Sequence, residues 1–130
     1  MPDYVVERVA EALNSARKAI NGSRIHLVGV AYKRDVNDLR ESPALDVIDV
    51  LRKRGAVLSY TDPWVPELSY NGLTMSSIDL AAAIAQPPDC AVICTDHSGT
   101  DYEALVGSGT LIVDTRNALK DHQLPSIFRL

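Results

Sequence analysis

The sequence predicts an α/β fold: a Rossmann-like domain of three layers with a parallel sheet, preceded by an N-terminal helix. Short apolar runs alternate with stretches of helical periodicity throughout the 130 residues. The apolar runs are mostly continuous, as strands covered on both faces are. Right-handed crossovers between such strands place every loop that follows a strand on one edge of the sheet.

Residues 4–20 carry an apolar stripe at helical spacing: Val5, Val6, Val9, Ala12, Leu13, Ala16, Ala19 and Ile20. Asn21-Gly22 stops that helix. Residues 24–30 form the first strand. Ser42 can cap the next helix, with Pro43 at its first position. Ala44, Leu45, Val47, Ile48 and Leu51 give that helix a buried stripe, and Gly55 ends it. Residues 56–60 form the second strand, closed by Thr61-Asp-Pro63. Residues 64–75 are irregular, with a turn or small hairpin at 70–74. A short helix over 77–85 ends at Gln86-Pro-Pro88. Residues 90–95 are the third strand, 101–106 a short helix and 110–113 the fourth strand. The tail, 117–130, reads as a loop with a short terminal helix.

Composition narrows the function classes. A 46% hydrophobic and 23% charged content is that of an ordinary globular domain. A net charge of -4 argues against a nucleic-acid binder but leaves room for a local basic pocket. No apolar run approaches the ~20 residues of a membrane span, and the acidic start does not resemble a signal peptide. The default expectation is a cytoplasmic protein with neither nucleic-acid nor membrane partners. Cys90 and Cys94 lie on one strand face, roughly 13 Å apart. That is too far for a disulfide, so they read as small core residues. His26, His97 and His122 are scattered and there is no Cys-x-x-Cys pair, so no metal ligand is assigned.

The richest segment is the loop after the first strand, Gly29-Val-Ala-Tyr-Lys-Arg-Asp-Val-Asn-Asp-Leu-Arg-Glu-Ser-Pro43, with six charged side chains. Ligands of open α/β sheets bind at such strand-end loops. Lys33, Arg34 and Arg40 suit an anion, phosphate first. Arg116 follows the fourth strand and falls on the same edge. The bland alternative is a surface ion-pair network of Arg34, Asp35, Asp38, Arg40 and Glu41, with Asp38 and Glu41 holding the loop. The loop is not a dinucleotide fingerprint, because only Gly29 is present. Asp62 stands where an acid could hold a ribose, but about 33 residues after Gly29 rather than ~20. Cofactor binding by this chain alone is therefore not expected. His97 is a possible acid or base, and more ordinarily a loop or capping histidine.

The segment 29–44 resembles the signature of the last domain of the UDP-glucose/GDP-mannose dehydrogenase family. Thr61-Asp-Pro63, Thr95-Asp-His97 and Val113-Asp-Thr-Arg-Asn117 match its later landmarks in order and spacing. The branch looks most like the UDP-N-acetylglucosamine and UDP-N-acetylmannosamine 6-dehydrogenases. Met1 to Val6 looks like the end of the family's long central helix. Residues 1–22 then belong to that linking helix, and 23–130 to a UDP-sugar-binding domain.

The resemblance implies a two-step, NAD-dependent oxidation of a UDP-sugar C6 alcohol to a uronate, a step of polysaccharide biosynthesis. It implies that Tyr32 and Lys33 meet the substrate nucleotide, that Arg116 lies at the substrate end, and that Arg40 reaches toward NAD. The family's glycine-rich NAD fingerprint and its Gly-Phe-Gly-Gly-x-Cys nucleophile segment have no counterpart here. The chain is thus expected to be a fragment, inactive alone and without a catalytic residue. NAD would be held mainly by an absent N-terminal domain, in a parent that is a homo-oligomer. The first helix is expected to share its apolar stripe with an absent central domain. The alternative is a non-catalytic α/β nucleotide-binding or assembly module.

Overall fold

Five parallel strands form the centre of the molecule in the computed structural model, which describes residues 2–40 and 42–129. In chain order the elements are α1 (Pro2–Ser15), β1 (Arg24–Val28), α2 (Pro43–Lys53), β2 (Val57–Thr61), β3 (Glu67–Tyr70), β4 (Leu73–Ser76) and α3 (Leu80–Ala85). They continue with β5 (Cys90–Ile93), α4 (Tyr102–Gly107), β6 (Leu111–Asp114) and β7 (Ile127–Arg129). The sheet order is β2-β1-β5-β6-β7, every neighbouring pair parallel. The fold is α/β and Rossmann-like, as the alternation predicts.

The first helix is shorter than its periodicity suggests. It closes at Ser15 with Lys18 N–H donating to Leu13 O and Arg17 N–H to Asn14 O. That bond pair is a Schellman motif, with Arg17 at φ 60 in the place usually held by glycine. Ala16 and Ala19 consequently fall outside the helix and are exposed. The same motif ends α2, with Ala56 N–H on Leu51 O and Gly55 N–H on Arg52 O. There Gly55 is at φ 90, and a Cβ on it would strike the Asn21 side chain. Ser42 caps α2 by accepting from Ala44 N–H, and Pro43 opens the helix.

The irregular stretch after β2 contains a true hairpin. β3 and β4 pair antiparallel across Asn71-Gly72, both at positive φ, the turn that matches strand twist. The tail differs from expectation. It ends not in a helix but in β7, which pairs parallel with β6. Ile127 is buried there, and Arg8 ties the strand to α1, its Nε donating to Arg129 O and its guanidinium lying 5.5 Å from the Phe128 ring centroid.

α1 and α2 cover one face of the sheet, where Val6, Val9, Leu13, Ile48 and Leu51 pack on Ile25, Leu27 and Val92. α3 and α4 cover the other, around Leu105, Ile93 and Ile112. Val5, Val6, Val9, Ala12 and Leu13 of the α1 stripe are buried within this domain. No described helix is long and apolar enough to cross a membrane.

The chain leaves β1 toward β2 and leaves β5 toward β6, in opposite directions along the sheet. The carboxyl ends of β1 and β5 therefore mark the topological switch point, where such folds open a crevice.

Candidate functional site

The loops after β1 and β5 meet at that crevice and are stitched together. Thr95 Oγ1 donates to Ala31 O (2.7 Å), and Ser98 donates to the Asp35 carboxylate through its N–H (2.8 Å) and Oγ (2.6 Å). Gly29 sits at φ 80 where β5 passes, and a Cβ there would run into the Thr95 backbone. Asp35 is also at positive φ, 58, a strained position that the Ser98 bonds hold. Those bonds, ahead of the nearby Arg34 charge, keep its carboxyl below the usual range. Tyr32 N–H closes the loop on itself by donating to Asp38 O (2.7 Å).

A concavity of about 460 Å³ lies outside these strand ends. Tyr32, Lys33 and Arg34 line it from the β1 loop, Thr95 and Asp96 from the β5 loop, and Arg116 from the end of β6, with Pro43 at its margin. Three of the four residues that the resemblance assigns to ligands are thus brought together: Tyr32, Lys33 and Arg116. Arg116 is oriented by its Nε donating to Cys94 O (2.8 Å). Its backbone is set by Asp114, a buried carboxylate that accepts from Arg116, Ala118 and Leu119 N–H groups. Among the described residues neither Lys33 nor Arg116 has a carboxylate within ion-pair distance, whereas Arg34 lies 3.9 Å from Asp96 and 4.0 Å from Asp35. Two cations in one hollow with no ion-pair partner among the described residues suit an anionic ligand.

Arg40 does not line this hollow. Its guanidinium grips Asp38 in a fork (3.1 and 3.0 Å), with the side chain 89% exposed. That pairing holds Asp38 below and Arg40 above their ordinary values. Glu41, the other acid read as holding the loop, lies outside the described residues. A second hollow of about 230 Å³ has Asp79 and Asp101 but no Lys or Arg in its lining, so it offers an anion neither a lysine nor an arginine.

Asp62 and His97 take roles the sequence left open. Asp62 is wholly buried and both its carboxylate oxygens are engaged: Oδ2 accepts from Val30 N–H (2.8 Å) and Ala31 N–H (3.1 Å), Oδ1 from Trp64 N–H (2.9 Å). It cannot hold a ribose. His97 is buried between Asp62 and Asp35. Both sit just past strands that flank β1 or carry its neighbour loop, a placement that only the sheet order reveals. With Asp62 buried and engaged, no ribose-holding acid is presented at the end of β2. The two thiols are pushed up to about 12 by burial, so neither is a nucleophile at neutral pH. No group of three or more metal-ligating side chains occurs among the described residues.

Comparison with known proteins points the same way. Residues 26–121 match the UDP binding domain of the UDP-glucose/GDP-mannose dehydrogenase family. The chain is 32% identical over 132 residues to a UDP-N-acetyl-D-mannosamine dehydrogenase of Methanococcus maripaludis, covering 95% of this chain and 29% of that protein. It is 28% identical over 134 residues to a UDP-glucose 6-dehydrogenase of Rickettsia bellii, covering 97% of this chain and 30% of the relative. The solved structure of a UDP-D-ManNAc dehydrogenase from Pyrococcus horikoshii superposes with a TM-score of 0.80 at 26% identity, over 99% of this chain and 30% of that one. The chain therefore spans about 30% of the length of the relatives it matches.

Proposed function

The chain belongs to the UDP-glucose/GDP-mannose dehydrogenase family, matching it at the UDP binding domain, and from that premise we propose that it is the C-terminal substrate-nucleotide domain of an NAD-dependent UDP-sugar 6-dehydrogenase. The observation that carries this reading is the convergence of Tyr32, Lys33 and Arg116 on one hollow at the switch point. A nucleoside diphosphate offers two adjacent negative charges to Lys33 and Arg116, and a base to the half-exposed Tyr32 ring. Arg116, at the β6 end, faces the sugar side. Arg40, outside the hollow, is assigned to a cofactor held by another domain, a role supported by its 89% exposed side chain. NAD supplies the hydride acceptor there, and this chain's share is to bind and orient the nucleotide. Oxidation of the sugar C6 alcohol to a uronate, as in polysaccharide precursor synthesis, belongs to the parent enzyme, a homo-oligomer of the cytoplasm. Residues 1–22 link this domain to the rest, and the isolated chain turns over no UDP-sugar.

The test is kinetic, in the full-length gene product. A charge-assisted hydrogen bond is worth ~1.5–3 kcal/mol, so Lys33→Ala should raise the KM for the UDP-sugar by roughly 10- to 150-fold. Arg116→Ala should lower kcat as well, and Arg40→Ala should act on the KM for NAD. Unchanged constants for Lys33→Ala would return the charged loop to a structural ion-pair network. A full-length product that binds UDP yet reduces no NAD would favour the non-catalytic module.

A further inference from the structure

We infer that Asp62 and His97 form a buried clamp that positions the Lys33 loop, and that His97 serves it as the neutral Nε2–H tautomer. The clamp rests on the reading of Tyr32 and Lys33 as ligand contacts. Neither clamp residue lines the cationic hollow, so both act through the backbone they hold.

The grip is two-sided. Asp62 Oδ2 receives the N–H groups of Val30 and Ala31, the two residues that lead into Tyr32. His97 Nε2 meets the same oxygen at 2.9 Å, and His97 Nδ1 meets Asp35 N–H at 2.7 Å. Tyr32, Lys33 and Arg34 are therefore held between two fixed amides. A backbone N–H can only donate, so Nδ1 must be the bare nitrogen and the ring proton sits on Nε2, aimed at the carboxylate. A carboxylate this deeply buried persists because both its oxygens are hydrogen-bonded. Asp62 and His97 are 0% and 3% exposed.

The experiment uses the 130-residue chain, with UDP as the probe. In titration calorimetry His97→Ala should bind UDP roughly tenfold or more weakly than the wild-type chain. His97→Gln can keep the bond to Asp62, and His97→Asn an acceptor for Asp35, so each should recover part of the affinity. Nitrogen chemical shifts of the imidazole should report the Nε2–H tautomer in the wild-type chain. The clamp is overturned by the Nδ1–H tautomer, or by His97 variants that bind UDP like wild type. Should the wild-type chain not bind UDP, the nucleotide reading fails separately. The clamp then stands or falls on amide exchange: Val30, Ala31 and Asp35 must exchange roughly tenfold faster in the His97 variants. Equal exchange rates would overturn it.

Discussion

His26 shows how a polar residue lives inside a sheet. It occupies the middle of β1 on the face opposite Ile25 and Leu27, with its two ring nitrogens each 2.7 Å from a β2 hydroxyl, Ser59 Oγ and Thr61 Oγ1. Burial first, and Arg24 second, lower its pKa to about 4. A histidine whose folded value is depressed binds its proton more readily when unfolded. Its contribution is complete above the unfolded value of about 6.5 and is lost as pH falls toward 4. The difference is worth roughly 3 kcal/mol. Asp35, Asp38, Asp49 and Asp89 are all depressed, so their contributions fade at still lower pH. Chemical denaturation between about pH 7 and pH 4.5 should therefore show a stability loss that is absent in His26→Gln. The sequence could not reveal this histidine's partners. Ser59 and Thr61 lie 33 and 35 positions away and are set beside it by the β1–β2 register.

At the scale of elements, caps that used the expected residue were legible and those that did not were missed. Gly55 marks the end of α2 because glycine is the usual occupant of a left-handed closing position. Arg17 does the same job for α1 and carries no such mark, so the apolar spacing of Ala16, Ala19 and Ile20 suggested a longer helix. A left-handed non-glycine residue costs about 1–2 kcal/mol, part of which glycine gives back in unfolded-chain entropy. Arg17→Gly should raise the unfolding free energy by about 0.5–1 kcal/mol. Gly55→Ala should lower it by more than 1 kcal/mol, since the new methyl also meets Asn21. Paired thermal melts of the two variants check both signs. β7 was missed for a different reason. A strand of three residues is too short for periodicity to declare itself, and its support is remote. Arg129 lends its guanidinium to the carbonyls of Leu119 and His122, folding the 115–126 connection beneath the strand. Arg129→Met should loosen that connection, read as faster amide exchange at Leu119 and Ile127 with the β1–β5 core unchanged.

For the molecule as a whole, the alternation of elements made the parallel sheet readable, and the sheet made the meeting of Lys33 and Arg116 readable in turn. What the alternation could not give was distance within the edge. Arg40 belongs to the same loop as Lys33, yet Tyr32 and Asp38 close that loop on itself and turn Arg40 outward to its Asp38 partner. The division of the chain at residue 22 also looks different once the packing is known. Val5, Val6, Val9 and Leu13 of α1 are buried against α2, β5, β6 and β7. Each such side chain is worth about 1.5–3 kcal/mol on burial. Together they approach the entire margin of about 5–15 kcal/mol by which a domain stays folded. Whatever α1 connects to in a longer protein, it is part of this core. A chain beginning at residue 23 should fail to give a cooperative thermal transition and should expose apolar surface to a hydrophobic dye, while the 130-residue chain melts in one step. Val9→Asp in the intact chain should reproduce the defect, because it places an unpaired carboxylate at a fully buried position without shortening anything. Cooperative unfolding of the truncated chain at the same midpoint would show that the sheet, α2 and the strand-end loops suffice on their own, and that α1 is the linker the family resemblance implies.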